Sequence, residues 1–207
     1  MFKRIAVFAM VAMLFLAVQA GRANADLVAN GNFALGTSGL LASSWNVTGW
    51  TINGDPNAWA TVNNDGLTSF APPGPSATYA LFSTEGTPVS ISQTLTAAAG
   101  QTYTVSFYAV NGSPSYFGNN ELEALWNGVQ AINLPGASMS SAWTQYSFLI
   151  TGGTGNNTNT LTFSFLQDDS EIDITNISTT PVPLPAALLL FGPGLAGTAL
   201  LRKRFKS

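Results

Sequence analysis

From residue 26 to residue 180 the apolar side chains recur at every second position, not at the 3.6-residue spacing of a helix. Tyr103, Val105, Phe107 and Ala109 alternate with Thr102, Thr104, Ser106 and Tyr108, and the same rhythm runs through Val89-Ile91-Leu95, Tyr146-Phe148-Ile150 and Leu161-Phe163-Phe165. A period of two sends successive side chains to opposite faces of an extended backbone, so each run reads as a half-buried strand. Clusters of Gly, Asn, Ser and Pro bound the runs. Between Glu121–Trp126 and Val129–Leu134 stands Asn127-Gly128, the pair suited to a type I′ turn, in which both central residues take positive φ. About nine to eleven short strands result, with no convincing helical face among them. Strands this short in antiparallel order close a core best as two packed sheets. The expected fold is all-β, a single antiparallel β-sandwich, and 207 residues leave room for one such core plus processing segments.

Charge divides the chain in the same way. Its seven cations are Lys3, Arg4, Arg22, Arg202, Lys203, Arg204 and Lys206, so the stretch from Asp26 to Leu201 has neither lysine nor arginine, while it holds all ten acids. A domain without cations cannot neutralise phosphates, which excludes nucleic acid as a partner and leaves cations, neutral sugars and basic proteins. Cysteine is absent, so no disulfide contributes.

The ends read as export signals. Lys3 and Arg4 precede a fourteen-residue apolar run, Ile5 to Val18, and then Ala23-Asn24-Ala25. That is the layout of a secretory signal peptide over residues 1–25, with Ala23 and Ala25 at the recognition positions and cleavage after Ala25. The run is short of the ~20 apolar residues that span a bilayer. At the other end a linker at 179–183 leads into an apolar segment interrupted by Gly192-Pro193-Gly194 and closed by Arg202-Lys203-Arg204-Phe205-Lys206. As a helix from Leu184 it is long enough, at roughly 27 Å, to cross a membrane, and the basic tail would stay cytoplasmic with the preceding domain outside. The expected organisation is therefore a signal helix, a β-sandwich over 26–178, the linker, and a C-terminal transmembrane helix within 184–207.

Val182-Pro183-Leu184-Pro185, followed by Ala186-Ala187-Leu188-Leu189-Leu190-Phe191-Gly192 and the basic end, resembles a PEP-CTERM sorting signal. The resemblance implies a bacterium that makes exopolysaccharide and an exosortase-type enzyme that cuts near the proline motif. It also implies an inner-membrane-anchored precursor that goes on to the cell surface or matrix. Leu184 departs from the glutamate that gives the motif its name. The middle resembles a galactose-binding-like jelly roll of the kind used by carbohydrate-binding modules. The likeness rests on Leu27-Val28-Ala29-Asn30-Gly31-Asn32-Phe33, Gly49-Trp50-Thr51, Trp126-Asn127-Gly128 and Trp143-Thr144-Gln145-Tyr146. In that family acids near the first motif and on the last strand often bind a structural calcium. Here Ala34 and Thr175-Asn176-Ile177-Ser178 stand at those places.

The inventory of reactive groups is short. With no histidine or cysteine anywhere, and no lysine between the ends, triads, zinc sites and Schiff-base chemistry are excluded, and paired carboxylates are the only catalytic option. Glu121 and Glu123 share one strand face and fit either a glycosidase pair or two solvated carboxylates. Asp168, Asp169, Glu171 and Asp173 crowd a loop and the strand start after it, as a calcium site or as a solvated acidic loop. Trp59, Tyr116 and Phe117 lie among Gly, Asn, Pro and Ser, where loops expose aromatics able to stack on sugar rings. Trp50, Trp126 and Trp143 lie in strand-like runs expected in the core. The reading these features favour is a non-catalytic surface or matrix protein that binds or organises extracellular polysaccharide. The alternatives are a structural or adhesive protein without a defined ligand, and a carboxylate-dependent glycosidase.

Overall fold

The computed structural model describes residues 25–37, 46–54, 59–63, 79–83, 87–112, 120–153, 157–167 and 171–183; at 37, 46, 59–63 and 79–83 the backbone alone is described. The chain divides into two compact units, Asp26–Pro181 and the two ends taken together. In the first, the regular elements among the described residues are strands and one short 3-10 turn at Gly136–Ser138. Among the described residues no helix is long and apolar enough to cross a membrane. The signal helix and the apolar C-terminal segment expected above lie outside the described residues.

Twelve strands are described. They are β1 (Gly36–Thr37), β2 (Asn46–Val47), β3 (Thr51–Asn53), β4 (Trp59–Asn63), β5 (Tyr79–Ser83), β6 (Val89–Thr96), β7 (Thr102–Asn111), β8 (Glu121–Trp126), β9 (Val129–Pro135), β10 (Thr144–Thr151), β11 (Thr158–Leu166) and β12 (Ile172–Pro181). β1 and β2 pair only with each other; the rest form two five-stranded antiparallel sheets, β10-β7-β12-β5-β4 and β3-β6-β11-β8-β9. Strand β12 runs through Thr179 and Thr180 to Pro181, into the stretch expected as a linker. There it pairs with Val105, Thr104 and Tyr103 of β7, and the Leu27 amide donates to the Thr179 carbonyl at 3.0 Å.

The alternation read from the sequence becomes the inner faces of the two sheets. Tyr103, Val105, Phe107 and Ala109 of β7 are buried against Leu161, Phe163 and Phe165 of β11 in one core. The rings of Phe107 and Phe163 meet edge to face across the sandwich at 5.1 Å. Tyr146 and Phe148 are only partly buried because β10 is an edge strand, yet both rings lie against Phe107. Asn127 and Gly128, at φ 53° and 77°, turn the β8–β9 hairpin as the type I′ geometry requires.

The segment before β1 is held by a polar clasp. Gln93 of β6 accepts from the Ala29 amide at 2.7 Å and donates to the carbonyls of Ala29 and Gly49 at 2.9 and 2.8 Å. Asn30, in the left-handed region, holds Leu35 and Thr48 with its carboxamide, while its carbonyl accepts from the Trp50 indole at 3.1 Å. Gly31 meets the bulge in β12 between Thr175 and Ser178, where the Ile177 amide donates to its carbonyl at 2.9 Å. Phe33 is fully buried against Trp50. The Asn-Gly-Asn-Phe stretch therefore works as a fastener between the chain's start and its last strand. Ala34 is exposed, and Thr175 is buried with Asn176 beside it, so neither position offers a carboxylate.

Candidate functional site

Register fixes which connections share an end of the sandwich. Ile172 pairs with Asn111 and Phe82, Trp59 with Ser83 and Thr144 with Ala109 in one sheet. Glu121 pairs with Leu166 and Pro135, Val89 with Phe165 and Asn53 with Ser90 in the other. At this end five connections, 54–58, 84–88, 112–120, 136–143 and 167–171, each cross from one sheet to the other. Hydrogen bonds tie the crossings together: the Asn111 amide donates to the Ser140 carbonyl, and the Asn120 carbonyl accepts from the Gly136 amide. Loops gathered on a rigid frame are where a sandwich places ligand contacts.

Topology brings the sequence-derived residues to this end. Trp59 opens β4 there, and the connection between β7 and β8 contains Tyr116 and Phe117. The side chain of Trp59, and residues 116 and 117 altogether, lie outside what is described, as do Asp168 and Asp169. Of the residues expected to carry the terminal signals, Ala25 and Pro183 are exposed and Val182 is half-buried, whereas Ala23, Leu184 and Pro185 lie outside the described residues.

Two features of this end were not read from the sequence. Three carboxamides, Asn111 at the end of β7, Asn120 just before β8 and Gln167 just after β11, continue the inward alternation and are buried. Neither polar atom of Gln167 finds a hydrogen-bond partner among the described residues. The second feature is the separation of the acidic group. Ile172 and Ile174 fill the core, so Asp173 of the central strand β12, and Glu171 just ahead of it, lie on the opposite side of the sheet. Asp173 is 1 % exposed and neither carboxyl oxygen has a partner. Burial first, and then the nearby Glu171 carboxylate, push its pKa up to about 8; burial likewise raises that of Glu171. The alternation Glu-Ile-Asp-Ile was the available signal for this pairing.

Such a group makes stability pH-dependent. Between the ordinary value of 3.8 and about 8 the folded chain holds a proton that the unfolded chain has lost. Stability therefore falls as pH rises through that window. The Asp173→Asn variant is expected to be more stable than the wild type at pH above about 8, with the margin closing toward pH 4. Urea unfolding across pH in the presence of a chelator checks this; equal margins at both extremes would mean that Asp173 is solvated.

Glu121 and Glu123 share one strand face. Both project from the outer face of β8, opposite the buried Leu122, Ala124 and Trp126, and are engaged by cross-strand amides. Glu121 accepts from Asn133, and Glu123 from Gln130 at 2.5 Å. Trp50 and Trp126 are core residues; the Trp126 indole donates to the Thr151 carbonyl at 2.9 Å. Trp143 is half-buried, just ahead of β10.

No protein-family model matches the chain, and no curated protein matches it. Solved structures share its fold. The carbohydrate-binding module TmCBM61, solved in complex with β-1,4-galactotriose, aligns with a TM-score of 0.53 at 16% identity, over 76% of this chain and 99% of that one. A cyclase from Fischerella sp. TAU, in complex with 4-(1H-indol-3-yl)butan-2-one, aligns with a TM-score of 0.54 at 16% identity, over 78% and 99%. The enzymatically active domain of tailspike protein 4 of bacteriophage CBA120 aligns at 0.53 and 16%, and there the chain spans only 21% of the partner's length. At these identities the likeness is one of fold: an all-β pair of antiparallel sheets of the kind found in jelly-roll carbohydrate-binding modules.

Proposed function

We propose that this chain is an exported, non-catalytic surface or matrix protein that binds extracellular carbohydrate at the crossing-loop end of its sandwich. The observation that bears most weight is the crossing of five connections between the sheets at one end, where the backbone of Trp59 opens β4 and where the β7–β8 connection has Tyr116 and Phe117 in its sequence. Aromatic faces suit the C–H surface of a pyranose ring, and amide and hydroxyl groups hydrogen-bond its hydroxyls. The same architecture in a module that holds a galactotriose supports the reading. With no lysine or arginine from Asp26 to Leu201, contacts to a neutral glycan would be stacking and hydrogen bonding. Binding would then be nearly insensitive to salt.

Export through the signal peptide, anchoring of a precursor by the apolar C-terminal segment, and processing near Pro183 by an exosortase-type enzyme belong to the same proposal. They rest on the terminal residues quoted above.

The test is a glycan array probed with the full chain, followed by titration of the best glycan. Replacing Trp59, Tyr116 or Phe117 singly with alanine is expected to weaken affinity about tenfold for a stacking residue while the fold is retained. Variants that stay folded and bind unchanged would move the site elsewhere. Variants that all unfold would make these aromatics part of the core.

A further inference from the structure

Glu171 and Asp173 stand two residues apart at the start of β12, a strand flanked on both sides by ladder partners, β7 and β5. Asp173 is buried, and neither carboxyl oxygen receives a hydrogen bond. Its cross-strand neighbour on β7 is Val110, itself fully buried, which offers no donor. Opposite Glu171 is Gly112, whose amide donates to the Glu171 carbonyl at 3.0 Å. A Cβ on Gly112 would stand 2.5 Å from the Glu171 Cγ and 2.6 Å from Oε1, so a glycine there leaves room for the carboxylate.

Two carboxyl groups placed this way need a counter-charge. No side chain between Asp26 and Leu201 is a cation, so the domain cannot supply it from within. A proton on Asp173 removes one charge, leaves that of Glu171, and leaves an Asp173 oxygen without a donor. A divalent cation neutralises both groups and engages up to four of their oxygens.

We propose that Glu171 and Asp173 bind a calcium ion at the start of β12, on the face away from Ile172 and Ile174. Donors that are oxygen alone, in a chain without histidine or cysteine, select a hard cation over zinc or copper. The ion joins the start of β12 to the β7 side of the crossing end, where Gly112 begins the connection that contains Tyr116 and Phe117.

The test is calorimetric and thermal titration of the full chain with calcium chloride after chelator treatment. Saturation at about a hundredfold excess over Kd is expected to raise Tm by about 5–10 °C, reversed by chelator. Asp173→Asn, which removes the buried charge without opening a cavity, is expected to stay folded and lose the response. Glu171→Gln is expected to weaken calcium binding at least tenfold, and Glu123→Gln to leave it unchanged. No heat and no shift in the wild type up to about 10 mM calcium, beyond the weakest range of protein sites, would overturn the assignment. So would an Asp173→Asn variant that binds calcium as the wild type does.

Discussion

Replacing Phe107 with alanine is expected to cost about 3–5 kcal/mol of folding stability. Phe107 is fully buried at the middle of β7 and touches three other rings: Phe163 across the sandwich at 5.1 Å, Tyr146 stacked at 5.6 Å and Phe148 edge-on at 6.5 Å. Truncation takes away its transfer free energy and leaves a cavity on both sheets at once, because the strands bordering it are fixed by their ladders. Domains of this size have only ~5–15 kcal/mol in total, so the loss is a large share. At ~2–4 °C per kcal/mol the midpoint should drop by roughly 6–20 °C, read by calorimetry or circular dichroism. Leu149→Ala provides the contrast on the neighbouring edge strand. Leu149 is 67 % exposed, and its truncation is expected to stay within about 0.5 kcal/mol of the wild type. Similar losses at both positions would mean that the sheets do not pack through Phe107.

The strands that could be read from the sequence were those with one buried face. β6, β8 and β11 alternate strictly between core and outer face, β7 does so up to Ala109, and their apolar residues announced them. The short strands β1 and β2 carry no such signal, being two residues each and paired only with one another. Strand β9 is an edge strand with mostly exposed residues, and the Asn127-Gly128 turn betrayed it more than its own pattern did. The end of β12 was hidden because Thr179, Thr180 and Pro181 look like linker composition. Thr179 is nonetheless buried, and its amide donates to Asp26 at 2.7 Å across 153 residues of sequence. Such a contact leaves no trace in local pattern.

Candidate residues could be named from the sequence, but not their arrangement. The acids at 168–173 were visible as a cluster, and their crowding suggested a cation. That Asp173 lies buried beside Glu171, and that Gly112 leaves space for the Glu171 carboxylate, depends on the pairing of β12 with β7. Gln167 gave no warning, since one glutamine after a strand is ordinary in sequence. Its position at the inward phase of β11 buries it. The Asn-Gly-Asn-Phe stretch stood out through resemblance alone, and its physical basis is the close meeting of Gly31 with the β12 bulge.

That meeting gives the second large effect: Gly31→Ala is expected to destabilise the domain by about 2–5 kcal/mol. A Cβ on residue 31 would stand 1.9 Å from the Ile177 carbonyl oxygen and 2.9 Å from its carbon. Both are backbone atoms of β12, so no side-chain rotation relieves the clash. The segment must move away from the strand, which strains the packing by ~1–3 kcal/mol. The same movement breaks the 2.9 Å hydrogen bond from the Ile177 amide to the Gly31 carbonyl, and a buried amide left without an acceptor costs a further ~1–3 kcal/mol. Phe33 and the indole bond from Trp50 to the Asn30 carbonyl lie within three residues of Gly31, so the disturbance reaches the core. Local opening should follow. Hydrogen exchange at Ala29 and Ile177, whose amides donate to Gln93 and Gly31, should accelerate more than exchange at the centre of β7. Ala34→Ser, at an exposed position three residues on, is expected to change urea stability by less than about 0.5 kcal/mol. A Gly31→Ala protein as stable as Ala34→Ser, with exchange at Ile177 unchanged, would show that the start of the chain is not fastened to the last strand through this contact.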